Sequence, residues 1–394
     1  MIETARSNRF HIAVFGRRNA GKSSLVNCLT GQSVSIVSDI AGTTTDTVWK
    51  NIELPGVGAA VIADTAGFDD EGVLGELRVE NARKVLARCD AAIILFGDSD
   101  DVSLEKEWHG EIMRRGLPAI LLVGMFDKEG SADRMERVRS AFGGTAIPFS
   151  SVTGEGREAL LAGLSQCCKS DDNLEDITYG LVSTGDMVVL VMPQDSSAPK
   201  GRLIQPQVQT LRNLLDKHCI PMCCAPEELP ALLGSLAVPP KLVITDSQVF
   251  DKVEKLVPAG VGLTSFSVLM ARHKGDIEVF RCGANALLSL RPTARVLIAE
   301  ACSHIPQNED IGRVKLPRLL RRKIGDGLAI DIVSGNDFPD DLSGYDLVIH
   351  CGACMFNRRT VMSRVRQAKA QGVPITNYGI AIAALNGILE KLCM

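Results

Sequence analysis

The stretch FHIAVFGRRNAGKSSLVNCLT fixes more about this chain than any other. FHIAVF is a short apolar run of strand length, and KSSLVNCLT has helical spacing. Between them, residues 16–23 read GRRNAGKS, the pattern G-x-x-x-x-G-K-S. A glycine-rich loop between a buried strand and a helix turns its backbone N–H groups inward, where they cradle phosphates at the positive helix N-terminus. Gly16, Arg17, Arg18, Asn19, Ala20, Gly21, Lys22, Ser23 and Ser24 form the expected nucleotide loop. Lys22 reaches the β/γ-phosphates and the Ser23 hydroxyl binds Mg²⁺.

The rhythm that follows is strand–helix alternation. AAVIADTAG, AAIILFG and PAILLVGMF are apolar runs of strand length, with charged helical stretches such as GELRVENARKVLARC between them. This is the α/β pattern of a doubly wound, mostly parallel sheet with helices on both faces. QCCKSDDNLEDIT, polar and acidic, marks a boundary. Then MVVLVMPQ, PMCCA and KLVITD read as strands; PQVQTLRNLLDKH, PEELPALLGSL and QVFDKVEKL read as helices. The polar run ARHKGD, 271–276, reads as a hinge. A third α/β unit holds the strands ARVLIAEAC, YDLVIHCGAC and VPITNYG and the helices RRTVMSRVRQAKAQ and IAIAALNGILEKL. The expected domains are 1–168, 175–268 and 269–394, with no motif shared among the three units.

Net charge is −4, which argues against broad nucleic-acid binding. No apolar run reaches the roughly 18–20 residues of a membrane span, and MIETARSNRF has no apolar signal-peptide core. A cytoplasmic protein is expected. Its twelve cysteines are then mostly reduced, and such enrichment points to metal more than to disulfides.

Further residues complete the nucleotide site. DTAG, 64–67, gives D-x-x-G: Asp64 holds the magnesium shell through water and the Gly67 N–H senses the γ-phosphate. In DIAGTTTDT, Thr44 is the candidate switch threonine that completes the Mg²⁺ shell. NAGKSSLVN, AGTTTD and DTAG together resemble the TrmE–Era branch of translation-factor-type GTPases. That resemblance implies GTP/GDP binding. It also implies that Asn19 helps bind K⁺, which stands where an arginine finger otherwise stabilises transition-state charge. Asn19 alternatively serves an unusual backbone angle. Glu76 in LGELR is the candidate for orienting water. The branch reads guanine with N-K-x-D; here GMFD, 124–127, keeps Asp127 but has Gly124 and Met125. Ser150 and Ser151 in FSSVTGEG lie near the base, without the branch's lysine. Weaker or less selective nucleotide binding is expected.

ARVLIAEACSH sets Cys302 and His304 after one strand, and YDLVIHCGAC sets His350, Cys351 and Cys354 at the end of another. Ligands collect at that edge of an open α/β sheet. Spacing alone leaves zinc, an iron–sulfur cluster, a redox pair and inert core thiols all open. The whole-chain pattern, a GTPase head followed by C-x-H and H-C-x-x-C, resembles the GTPases that mature FeFe-hydrogenases. This implies a dimerisation domain, a homodimer, and a 4Fe–4S cluster on Cys302, Cys351 and Cys354. Its fourth iron is labile, with His304, His350 and Glu309 as candidate fourth or outer ligands. The resemblance also implies a carrier role: a transient diiron subcluster arrives from two radical-SAM maturases and leaves for apo FeFe-hydrogenase. The alternative is an Era-like RNA or ribosome-assembly GTPase with a structural zinc.

Overall fold

The computed structural model of the chain describes residues 9–30, 48–65, 73–169, 176–194, 203–301, 311–335, 337–353 and 356–393. The chain divides into two units, Met1–Asp172 and Asn173–Met394.

The first unit runs β1 (Phe10–Phe15), α1 (Lys22–Thr30), β2 (Val48–Leu54), β3 (Gly58–Asp64), α2 (Val73–Leu86), β4 (Ala91–Phe96), α3 (Ser103–Arg114), β5 (Ala119–Val123), α4 (Ser131–Phe142), β6 (Ala146–Pro148) and α5 (Arg157–Lys169). The strand order is β2-β3-β1-β4-β5-β6. All pairs are parallel except β2 with β3. The exception is local chemistry: Pro55–Gly56–Val57 reverses the chain, with Gly56 at φ +76° and Gly58 at +82°. So short a connection can only make an antiparallel pair. Side chains of β1 alternate between two cores. Ala13 and Phe15 pack with Leu86 and Trp108 on one face, and Ile12 and Val14 with Leu25 and Leu160 on the other.

The second unit contains two four-stranded parallel sheets. The first holds β7 (Met187–Val191), α6 (Gln205–Asp216), β8 (Ile220–Cys224), α7 (Leu229–Ser235), β9 (Leu242–Thr245), α8 (Phe250–Val253), β10 (Gly262–Ser265) and α9 (Phe266–Lys274). Then come α10 (Ile277–Leu288), β11 (Arg295–Ala299), α11 (Leu316–Ile324), β12 (Ala329–Val333), β13 (Leu347–His350), α12 (Arg358–Ala370), β14 (Ile375–Asn377) and α13 (Tyr378–Leu385). The orders are β10-β9-β7-β8 and β12-β11-β13-β14. They are the same topology: the opening strand pairs with the second on one side and the third on the other, and the fourth lies outside the third. The sequence shows no shared motif, because this repetition is one of strand order.

One core joins the two sheets, with Val189, Val243 and Phe250 from the first and Leu297, Val348 and Ile375 from the second. Helix α9 crosses the boundary expected at 268/269 and contributes Val268 and Ala271 to that core. The 271–276 run expected as a hinge is therefore a helix end. Residues 271–274 close α9, and Asp276 caps α10 by accepting from the N–H groups of Glu278 and Val279. A Cβ on Gly275 would stand 2.9 Å from the Ala271 carbonyl oxygen, so only glycine fits between the helices. The helix expected over QVFDKVEKL is short, Phe250–Val253, and that expected over IAIAALNGILEKL ends at Leu385 before Gly387 at φ +73°. Among the described residues no helix is long and apolar enough to cross a membrane.

Candidate functional site

The phosphate loop follows β1, between β3 and β4. From β1 the chain runs to β3 on one side and to β4 on the other, the reversal at which open sheets bind ligands. Ala20 seats the loop: a Cβ on Gly97 would lie 3.0 Å from Ala20 Cα, and one on Gly16 would lie 2.5 Å from the Leu95 carbonyl oxygen. Larger residues at either glycine would push the loop off the sheet. Lys22 is buried, and its Nζ donates to the Gly16 and Arg17 carbonyl oxygens, both at 2.8 Å. The ammonium thus stands within the loop that phosphate oxygens enter. Val14 pairs with Asp64 across β1 and β3, and Ser23 Oγ donates to Asp64 Oδ2 at 2.8 Å. The two groups expected in the magnesium shell are in contact.

Asn19 sits at φ +59°, a left-handed conformation that asparagine adopts more readily than most residues. The loop therefore needs Asn19 for its backbone, whatever else its amide does. Arg17 turns to the start of α3. Its Nε donates to Glu105 Oε1 at 3.0 Å and its Nη2 to Asp101 Oδ2 at 2.8 Å. Burial alone would lower the guanidinium's pKa, but these acids raise it. Asp101 is held down to about 2, first by its Ser103 hydrogen bonds and then by Arg17. Arg17 contributes its carbonyl to the site and its side chain to anchoring. Arg18 and Ser24 are exposed.

The base-reading edge keeps its acid. Ser150, fully buried, donates to Asp127 Oδ1 at 2.6 Å and holds that carboxylate below its ordinary range. Ser150 Oγ also accepts from the Val152 and Thr153 N–H groups at 3.2 Å, while Ser151 is exposed. Gly124 leaves little room: a Cβ there would meet the Phe96 and Ala20 carbonyl oxygens at 3.2 and 3.4 Å. Met125 lies at φ +51°, with its carbonyl held by Arg134 Nη2 at 2.9 Å. Thr44 and Gly67 lie outside the described residues. So does the side chain of Glu76, whose backbone is in α2.

The cysteine site repeats the topological logic. Strands β11 and β13 pair in parallel, Ala299 opposite His350, and the chain leaves them in opposite directions across the sheet. Residues 300–302 and 351–354 follow the C-terminal ends of these two strands. Cys302, His304, Glu309 and Cys354 lie outside the described residues. Among the described residues no group of three His, Cys, Asp and Glu is arranged to hold a metal. Cys351 shows the donor set: its Sγ accepts from Ala301 N–H at 3.0 Å and Ala353 N–H at 3.4 Å. Backbone donors aimed at one sulfur favour its thiolate, the form that ligates iron or zinc. This arrangement fits a thiolate-bound metal or cluster.

His350 is fully buried, with both nitrogens engaged. Arg364 Nη1 lies 3.0 Å from Nε2, and Nδ1 lies 2.8 Å from the Cys351 carbonyl oxygen. A guanidinium has only donors, so Nε2 accepts and Nδ1 carries the proton. Burial first, then Arg364, pushes the imidazole down to about 3, and it is neutral. Of the two roles expected for His350, this geometry leaves the one that orients the cysteine backbone. Asn377 Nδ2 adds a hydrogen bond to the same carbonyl at 3.2 Å. Arg364, Asn377 and Lys274 carried no signal in the sequence: each reaches the loop from 14 or more residues away.

Three family models match the chain. The 50S ribosome-binding GTPase model covers residues 11–124, the hydrogen maturase F dimerization domain 177–275, and the hydrogen maturase F tetramerization domain 278–394. Among curated proteins, the tRNA modification GTPase MnmE of Chromobacterium violaceum is 34% identical over 155 residues, 39% of this chain and 34% of that protein. The MnmE of Shouchella clausii is 35% identical over 144 residues, 36% of this chain and 31% of that protein. The chain thus spans about a third of the length of these relatives. Among solved structures, an Aquifex aeolicus Era variant bound to GDP and AlF4⁻ is 18% identical, covering 55% of this chain and 92% of that one, at a TM-score of 0.36.

Proposed function

Because the chain belongs to the hydrogen maturase F family, we propose that it hydrolyses GTP and serves as an iron–sulfur scaffold. It receives a diiron precursor and delivers it to apo FeFe-hydrogenase. The observation that carries this reading is the joining, in one chain, of a phosphate loop to both hydrogen maturase F domains. An Era-like RNA-binding role accounts for the first unit and leaves residues 177–394 without a task.

In the nucleotide site, loop N–H groups hold the phosphates. Lys22 exchanges the Gly16 and Arg17 carbonyls for phosphate oxygens. Ser23 and Asp64, already 2.8 Å apart, would hold Mg²⁺, whose charge would offset that of the phosphates. Thr44, Gly67 and Glu76 act as the switch threonine, the γ-phosphate sensor and the water-orienting acid. Asn19 helps hold K⁺, whose charge offsets that developing on the phosphoryl oxygens. Asp127, fixed by Ser150, takes the guanine N1–H and amine. Gly124 and Met125 supply no side-chain amide or ammonium there, so guanine selectivity is reduced.

In the second unit, Cys302, Cys351 and Cys354 hold a 4Fe–4S cluster. When bound, the cluster supplies an iron with an exchangeable ligand to which the diiron cargo can attach. His304 and Glu309 are the candidates for that labile position. The Ala301 and Ala353 N–H groups hold Cys351 as thiolate, and His350 with Asn377 fixes its carbonyl. The working form is a cytoplasmic homodimer or larger oligomer that meets two radical-SAM maturases.

Two measurements test this. The electron paramagnetic resonance spectrum of the reduced, anaerobically purified protein should be that of a 4Fe–4S centre, lost in Cys351→Ala. A zinc-loaded, spectroscopically silent protein would overturn the scaffold reading. GTP hydrolysis should be faster in K⁺ than in Na⁺, and equal rates would remove K⁺ from the mechanism.

A further inference from the structure

Lys274 is the last residue of α9 and is 3% exposed. An ammonium this deep must have its protons accepted. Its Nζ donates to the Ala353 carbonyl oxygen at 2.9 Å and to the Phe356 carbonyl oxygen at 3.0 Å, 79 and 82 residues further along the chain. Ala353 lies between Cys351 and Cys354 in the sequence. It stands at φ +50°, where an alanine is strained. The same residue's N–H donates to Cys351 Sγ. One residue thus has its carbonyl fastened to a buried cation and its amide aimed at a cysteine sulfur. A second clamp lies alongside: Arg358 Nη1, at the start of α12, donates to the His273 and Gly275 carbonyl oxygens at 3.0 and 2.9 Å.

We propose that Lys274 is a positioning residue for the cysteine loop, holding Ala353 in the conformation that directs its N–H to Cys351 and placing a positive charge beside the site. This rests on the cluster reading above. Helix α9 falls within the segment matched by the dimerization domain, residues 177–275. That domain therefore supplies part of the cluster's immediate surroundings, beyond any contact between subunits. The charge has a direction of effect. A nearby cation favours the reduced, more negative cluster over the oxidised one.

The test uses the full-length protein, reconstituted anaerobically with iron and sulfide, in wild type, Lys274→Met, Lys274→Gln, Lys274→Arg and the exposed control Lys369→Met. Readouts are iron and sulfide per chain, the resonance spectrum of the reduced centre, and its midpoint potential. Lys274→Met should bind at least fivefold less cluster than wild type. Lys274→Gln, which can still donate to one carbonyl but carries no charge, should keep cluster. Its reduction equilibrium should be at least tenfold less favourable, a negative shift of about 59 mV for one electron. Lys274→Arg should restore the potential towards wild type, and Lys369→Met should match wild type throughout. If wild type takes up no cluster, the scaffold reading falls and this inference with it. If wild type is loaded and Lys274→Gln matches it in content, spectrum and potential, Lys274 has no such role while the scaffold reading stands. Should Lys274→Met fail to fold, Lys274→Gln decides the matter alone.

Discussion

The phosphate loop and the cysteine loop stand at equivalent places in their sheets, yet they are held in opposite ways. Both follow a central parallel strand where the chain's direction across the sheet reverses. The phosphate loop is built largely from its own residues. Lys22 bonds carbonyls five and six residues back, Gly16 gives the close approach to Leu95, and Asn19 takes the left-handed turn. The cysteine loop is held from far along the chain, by Lys274 on α9, Arg364 on α12 and Asn377 at the end of β14. A site that meets many copies of one small ligand can be written as a contiguous motif. A site set among packed helices and strands draws its support from whichever elements pack against it.

That contrast can be broken at either end. The largest effect is expected at Lys22. Lys22→Ala should lower the GTP hydrolysis rate by on the order of 10²–10³, since it removes a charge meant for the transferring phosphoryl group. A single-turnover assay reads this, and a loss under tenfold would make the lysine's loop bonds its main role. Arg364→Leu comes next. It leaves His350 Nε2 and the Gly335 carbonyl without that donor, and removes a cation stacked 4.7 Å above Phe338. A destabilisation of roughly 1–3 kcal/mol should follow in urea unfolding, the cost of buried polar groups left unpaired. No loss would mean that the cysteine loop does not depend on distant supports.

Ser150→Ala should be milder. Asp127 loses its 2.6 Å donor, and GDP affinity should fall by up to about tenfold, corresponding to about 0.5–1.5 kcal/mol for one hydrogen bond. Isothermal titration would show it, and an unchanged affinity would place Asp127 outside base recognition. The smallest effect concerns pH. Burial first, then Lys274 and Arg358, lowers His273 from its ordinary 6.5 to about 4. The folded value lies below the unfolded one, so protonation favours unfolding. This contribution is fully present above about pH 6.5 and is lost as pH falls from there towards 4. His273→Asn should flatten the pH slope of unfolding midpoints across that window. An identical slope would assign the acid sensitivity to other groups.

Much of this was legible because it depends on short-range pattern. Apolar runs located β1, β3, β4, β5, β7, β8, β9, β11, β13 and β14 with small shifts at their ends, while β6, β10 and β12 were not read. The phosphate loop could be read residue by residue. Strand β2 was missed although its signal, Leu54–Pro55–Gly56–Val57–Gly58, is local turn chemistry. In the run 271–276 polarity suggests solvent, but Lys274 is buried because two distant carbonyls accept from it.

The sequence alone determined the parallel α/β rhythm, the phosphate-binding loop with its lysine and serine, and the placing of cysteines after strand ends. Each follows from side-chain periodicity or from a motif whose chemistry needs adjacent residues. Tertiary structure alone decided that two sheets of unlike sequence share one strand order and one core. It also decided that His350 is neutral with both nitrogens engaged, that Arg17 anchors to α3, and that Lys274 grips the cysteine turn. These outcomes depend on burial and, for the most part, on partners 14 to 88 residues apart, where each interaction's strength is set by the surroundings the folded chain creates.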